Sequence, residues 1–225
     1  MRGHDVSRIE GFSDAVFGFS LTLLMVSLEV PENFQDLKRI MSGFLPFTAT
    51  FAMVCWIWYT HYAFFRKFGL RDGLTVFLNC VLLFVVLFFV YPLKFVFGNL
   101  IPAFTGIGVP EHSGFEGMTA GDARFLMVAY SGGVIAVFLV FTLFYWNAYR
   151  QRAALALGPL EVFDARTGIR AHALSVGLGV TSVALALTLP IERLWLSGML
   201  YMLEGPLQAT HGILRGKARM RVTAT

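Results

Sequence analysis

Six apolar blocks, at residues 12–30, 40–65, 74–97, 125–146, 171–189 and 194–214, constrain this chain more than any motif in it. A water-soluble core cannot take in so many uninterrupted runs, whereas a bilayer with about 30 Å of hydrocarbon can. The first five have the length of spanning helices. The last contains Glu204, Gly205, Pro206 and His211, and reads as a short span, a kinked span or an interfacial helix. Composition agrees with the membrane reading: 56% of residues are hydrophobic and 14% charged, against about 25% charged in soluble domains. Mean hydropathy is +0.67. The expected fold class is therefore all-α, an integral membrane protein of six transmembrane helices.

Charge placement supplies the topology. Lys and Arg accumulate in cytoplasmic loops. Taking alternate connections as one side collects Arg2, Arg8, Arg66, Lys67, Arg71, Arg150, Arg152, Arg166, Arg170, Arg215, Lys217, Arg219 and Arg221, thirteen of the eighteen basic residues. Lys38, Arg39, Lys94, Arg124 and Arg193 fall on the other side. Both termini are thus expected in the cytoplasm, which fits an even number of spans. A net charge of +4 would also suit nucleic acid, but the basic residues edge the apolar blocks instead of forming one face, so no nucleic-acid partner is expected. Membrane lipid is.

Residues 1–214 are expected to form a single six-helix transmembrane domain and residues 215–225 a basic cytoplasmic tail beside anionic lipid. Acidic Glu10 and Asp14 argue against a cleavable signal peptide at the start. The stretch 98–124, with Pro102, Pro110, Glu111, His112 and Glu116, reads as a turn-rich loop, and 151–169 as a short amphipathic connection. Cys55 and Cys80 lie inside apolar blocks, where neither a disulfide framework nor a zinc site is indicated.

Enzymatic chemistry has little to stand on. No HExxH, GxSxG, Walker A or CxxC pattern occurs, and the histidines at 4, 61, 112, 172 and 211 are spread over different segments. No catalytic residue, cofactor or fixed metal site is expected. Polar groups at membrane depth are more telling, because their burial is costly. Arg8, Ser13 and Asp14 open the first segment, Trp58 and His61 close the second, and Asn79 sits about two turns into the third. All lie toward the expected cytoplasmic ends and could share one layer. Helix-to-helix adhesion explains such a layer as well as an ion-attracting vestibule around Asp14 does, and an Arg8 and Asp14 pair would serve both.

After Asp14 the first segment carries no ionisable residue until Glu29. It offers two faces at helical spacing. Phe12, Ala15, Phe19, Leu23, Val26 and Val30 form an apolar stripe, while Ser13, Ser20 and Ser27 recur every seven residues. Serines would suit a wet pore, but small polar residues also mediate close helix packing. Large apolar rings can line a pore and gate it by dewetting.

Arg8, Phe12, Ser13 and Asp14 spell the R-x-x-x-F-S-D start of the first helix in the transmembrane protein 175 family of potassium channels, which this chain resembles. Val16, Phe17, Thr22, Leu23, Leu24 and Pro31 continue the likeness in the first helix. Trp58 and His61 are similar to the family's W-x-x-H in the second, and Leu78, Asn79 and Pro92 to its third. The likeness covers about half the chain. It implies a homotetramer of bacterial six-helix subunits in the plasma membrane. Potassium would pass down its gradient through one central pore lined by the first helices. On this chain the implied apolar constriction is Phe19, Leu23 and Val26, a hydrophobic gate, and the polar network behind it at the cytoplasmic mouth is Arg8, Phe12, Ser13, Asp14, Trp58, His61 and Asn79. Family members usually carry an aliphatic residue in place of Phe19 and often Leu in place of Val26. Either the Phe19 ring closes the pore tightly, or it is rotated away.

Two other classes compete with a channel. A proton- or cation-coupled secondary transporter would use Asp14 and His61 as its sites, although paired helices interrupted by Gly and Pro in corresponding halves are missing. A non-transporting membrane protein would use the polar layer only to hold helices together.

Overall fold

The computed structural model describes residues 7–28, 30–106 and 117–223. Regular structure among them is helical throughout: α1 (Arg8–Val26), α2 (Phe34–Ser42), α3 (Phe44–Phe68), α4 (Gly73–Thr105), α5 (Ala120–Arg150), α6 (Pro159–Thr188), α7 (Trp195–Met199) and α8 (Glu204–Thr223). Short 3₁₀ turns at Ile191–Arg193 and Leu200–Leu203 flank α7. Helices α1, α4, α5 and α6 are long and apolar enough to cross a membrane. Helices α2 and α3, bent by 48° at their junction, make a fifth crossing if the pair is one broken span.

Helix boundaries depart from the apolar blocks at 194–214, which α7, a 3₁₀ turn and the start of α8 share, and in three further places. The block at 40–65 is split at Gly43, the C-cap of α2, because its amide already bonds to the carbonyls of Arg39 and Ile40. The chain restarts at Phe44 with Pro46 inside the first turn, where a missing N–H costs nothing. Helix α4 does not stop near residue 97: it runs through Pro92 and Pro102 to Thr105, so the first part of the expected loop at 98–124 is helical. Pro110, Glu111, His112 and Glu116 lie outside the described residues. The expected connection at 151–169 shortens likewise. Only 151–158 separate α5 from α6, since Gly158 as N-cap, Pro159 at the first position and Glu161, whose Oε2 accepts from the Gly158 amide at 2.8 Å, start a helix there.

The chain divides into two compact units. The first comprises residues 1–67 and 83–118. Its α1 begins with a capping box: the Glu10 amide donates to Ser7 Oγ at 3.3 Å, and the Ser7 amide to Glu10 Oε2 at 2.8 Å. Phe17 and Leu24 of α1, Val54, Ile57 and Phe64 of α3, and Val86 and Val90 of α4 are buried.

The second unit, residues 68–82 and 119–225, is built on the packing of α5 against α6, with α7 and α8 on α6. Small residues set the α5–α6 distance. A Cβ added at Gly168 would lie 2.3 Å from the Tyr145 ring, and one at Gly179 would lie 2.7 Å from Ile135. Membrane helices use glycine this way because close backbone approach maximises dispersion contacts where no hydrophobic effect separates helix from lipid. Beside this seam Ser131 and Ser182 hydroxyls meet at 3.0 Å, and Ser182 donates to the Ser197 carbonyl at 2.9 Å.

Candidate ion pathway

The two faces of α1 meet different surroundings. Ser13 and Ser20 are wholly buried and Ser27 partly so. Their hydroxyls turn back on their own helix: Ser13 Oγ donates to the Ile9 carbonyl at 2.8 Å, Ser20 Oγ to Val16 at 2.9 Å and Ser27 Oγ to Leu24 at 2.6 Å. Each of these hydroxyls thus has its proton satisfied within α1. The opposite stripe is uncovered. Phe12 is 57% exposed, Phe19 56% and Val26 71%, with Leu23 half-buried between them.

At the N-terminal end of α1, Asp14 is exposed and one carboxylate oxygen accepts from Trp58 Nε1 at 2.7 Å. Trp58 in turn stacks on Tyr62, with ring centroids 5.8 Å apart. This bond ties α1 to α3 over 44 residues of sequence and leaves the other Asp14 oxygen open to a cation. One turn along α3, His61 is buried, its ring 4.5 Å from that of Phe65 and 5.8 Å from that of Phe17. Arg8 is exposed, and no ion pair among the described residues joins it to Asp14. The indole takes the place expected of the guanidinium, because Trp58 reaches Asp14 from the neighbouring helix whereas Arg8 lies six residues away on α1 itself. Asn79 is buried in the part of α4 that belongs to the second unit. Within the first unit the sequence-derived layer is thus an Asp14–Trp58 pair with a buried His61 next to it, and Arg8 stands apart from that pair.

Sequence reasoning passed over Lys94. It counted only as a basic residue on the outer side, yet its Nζ donates to the Ser27 carbonyl at 2.8 Å and to Ser27 Oγ at 2.7 Å. No basic residue occupies the last turn of α1, so α4 supplies the cation that a helix C-terminus favours. The available signal was that Lys94 is the one charged residue in the block 74–97. A second polar knot outside the apolar segments was also missed. Asp72, just ahead of α4, accepts from Thr75 Oγ1 at 2.6 Å and from Asn147 Nδ2 at 3.0 and 3.1 Å. Burial pushes its carboxyl up, but these bonds and one from Gln151 outweigh that and hold it below the ordinary carboxylate value. No group of three or more His, Cys, Asp or Glu among the described residues is placed to hold a metal ion.

Helices of bilayer length and a first helix that hides its hydroxyls while presenting large apolar side chains define a multi-pass α-helical membrane protein. The family model described as the endosomal/lysosomal potassium channel TMEM175 matches residues 8–89, which include Asp14, Trp58, His61 and Asn79. A potassium channel of Marivirga tractuosa is 40% identical over 98% of this chain and 92% of its own length. The chain belongs to the TMEM175 family. Its relatedness extends through the second half, where hydropathy alone had suggested it. The crystal structure of the potassium channel MtTMEM175, solved as a single-site variant in complex with a nanobody–MBP fusion protein, superimposes with a TM-score of 0.85 at 40% identity, covering 96% of each chain. A structure from Chamaesiphon minutus, described as a lysosomal potassium-selective channel TMEM175 homolog, shares the fold at 24% identity and a TM-score of 0.57 over 92% of this chain and 96% of its own.

Proposed function

We propose that this chain is the subunit of a potassium channel that passes potassium passively through a pore lined by α1. Relatives named as potassium channels, matched over nearly the whole chain, support the activity. The observation that carries the pore assignment is the division of α1: buried Ser13 and Ser20 on one face, and exposed Phe12, Phe19 and Val26 with half-buried Leu23 on the other. Lipid could cover an exposed apolar stripe, but the likeness to potassium channels favours α1 helices of further copies around a common axis. The assembly is a homotetramer in this reading, and Phe19, Leu23 and Val26 form its constriction, gating by dewetting. Asp14, held by Trp58, raises the local cation concentration at the cytoplasmic mouth. Six segments cross the membrane, the bent α2–α3 pair and the stretch 194–214 each counting as one, and both termini are cytoplasmic. A bacterial plasma membrane is the location that the bacterial relatives suggest.

Potassium flux into liposomes containing the purified chain tests the activity. Permeability equal to that of empty liposomes overturns it. Leu23→Ser tests the constriction: wetting the narrowest ring raises conductance several-fold, and an unchanged conductance removes Leu23 from the pore.

A further inference from the structure

Helix α8 runs antiparallel to α6, and a ladder of polar contacts fixes their register. Ser175 donates to Glu204 Oε1. Gln208 Nε2 donates to the Ala171 carbonyl at 2.9 Å, to Ser175 Oγ at 2.9 Å and to Glu204 Oε1 at 3.0 Å. Farther along, the Arg215 guanidinium lies 5.2 Å from the Phe163 ring centroid, and Arg219 pairs with Asp164 at 3.1 and 3.2 Å. Between Gln208 and Arg215 no hydrogen bond or ring contact joins α8 to α6 among the described residues. There the register brings Arg170 of α6 opposite His211, which lies one turn before Arg215 on the same face of α8.

Both arginines lie within electrostatic reach of His211. Burial first, and then the nearby Arg170, pull the Arg215 guanidinium below its ordinary value. No anionic partner for Arg170 or Arg215 occurs among the described residues, the neighbouring carboxylate of Asp164 being taken by Arg219. His211 Nε2 is buried without a hydrogen-bond partner. Crowded cations and an unsatisfied buried nitrogen are costly together, and one anion relieves both. Depth identifies which anion. Arg170 immediately precedes the apolar block 171–189 and Arg215 immediately follows the block 194–214, so both guanidiniums sit where hydrocarbon gives way to headgroups.

We propose that Arg170, His211 and Arg215 form a binding site for the phosphate of an anionic phospholipid headgroup. Two planar guanidiniums offer the forked donors that phosphate oxygens accept, and the Phe163 ring holds Arg215 at the rim. The site takes its depth from the span reading given above but nothing from potassium conduction, so its test reads binding and not flux.

The full chain, in neutral detergent, is titrated with dioleoylphosphatidylglycerol, with dioleoylphosphatidylcholine and with inorganic phosphate, following thermal midpoint and lipid retention by native mass spectrometry. Phosphatidylglycerol is expected to raise the midpoint and to remain bound where phosphatidylcholine does not. Arg170→Gln with Arg215→Gln should weaken its retention roughly tenfold or more, while Lys217→Gln, removing a charge of the same tail, leaves it within about twofold. Arg170→Lys with Arg215→Lys keeps the charge, guards against a folding defect, and should fall between the two because the forked geometry is lost. No preference for phosphatidylglycerol overturns the proposal. So does an equal loss in Lys217→Gln, which would mean diffuse attraction, and so does an equal midpoint shift with inorganic phosphate, which would mean a site for the free ion.

Discussion

Helix α1 in the first unit and the α5–α6 seam in the second handle the same difficulty, hydroxyls at membrane depth, in opposite ways. On α1 Ser13, Ser20 and Ser27 each donate to a carbonyl of the preceding turn of their own helix, and the opposite apolar face stays largely uncovered. Along α5 and α6 the hydroxyls reach across: Ser131 to Ser182, Ser182 to the Ser197 backbone, Ser175 to Glu204. Glycines at 168 and 179 of α6 let its backbone approach α5, where Ser131 and Ser182 meet. Polar satisfaction within a helix leaves a face free for another copy or an ion path, whereas satisfaction between helices commits both faces to the fold. The same residue type therefore marks opposite roles, and only the identity of the acceptor separates them.

The seam should break first. Gly168→Val puts a branched side chain where a single Cβ already lies 2.3 Å from the Tyr145 ring. Overpacking of this kind costs about 1–3 kcal/mol, and the expected result is a sharply lowered thermal midpoint or no folded material by size exclusion. The same substitution at Gly18 of α1, where nothing lies within 4 Å of the added Cβ, leaves the subunit fold intact. Equal damage at both positions would erase the contrast between the regions.

Next in size is Asn147→Leu, which removes the Nδ2 donor that reaches both Asp72 oxygens and the acceptor of Gln151, and leaves a half-buried carboxylate less satisfied. A loss of about 1–3 kcal/mol is expected, read as a lower unfolding midpoint in detergent. The sign of the pH dependence follows from the depressed carboxyl of Asp72. Its contribution is present in full above the ordinary Asp value of 3.8 and disappears as pH falls through the lower folded value. Asp72→Asn removes that acid limb of the stability profile, and a profile identical to wild type would show that Asp72 does not carry it.

Trp58→Phe sharpens the comparison from the other side. Loss of the 2.7 Å bond to Asp14 costs about 0.5–1.5 kcal/mol, less than Asn147→Leu, because Asp14 is exposed and water replaces the indole. Potassium flux should fall even so, since the carboxylate loses the contact that fixes it. A stability loss as large as that of Asn147→Leu, with flux unchanged, would move the Asp14–Trp58 pair from the ion path to the scaffold.

Much of this was legible in the chain itself. Apolar blocks gave the four long helices and α3, though not α2 or the bend between α2 and α3, and Asp14 with Trp58 stood out as polar groups in apolar runs. Helix ends were not legible, because hydropathy follows the depth of hydrocarbon and not the run of backbone hydrogen bonds. Residues 98–105 and 159–170 are helical yet carry Gly, Pro and charge, so they resemble loops by composition. Lys94 was hidden by the assumption that a basic residue near a block edge reports topology, when its ammonium instead closes the C-terminus of α1. Arg8 misled for a related reason: proximity in sequence suggested a partner for Asp14 that a neighbouring helix supplies.

The smallest effect is also the most discriminating. Ser20→Ala removes one hydroxyl whose acceptor, the Val16 carbonyl, belongs to the same helix. That carbonyl stays within the helical hydrogen-bond ladder, and the methyl of alanine fills nearly the space of the serine. The expected change is within about 0.5 kcal/mol. Ser182→Ala deletes an atom of similar size but strands both Ser131 and the Ser197 carbonyl in a buried seam, for about 1 kcal/mol or more. Thermal midpoints of the two variants, measured side by side in one detergent, give the difference directly. Should Ser20→Ala cost as much as Ser182→Ala, the serine face of α1 would be holding the subunit together through its hydroxyls. The exposed stripe of Phe12, Phe19 and Val26 would then be the remainder of a packing helix rather than a face set aside for the pore.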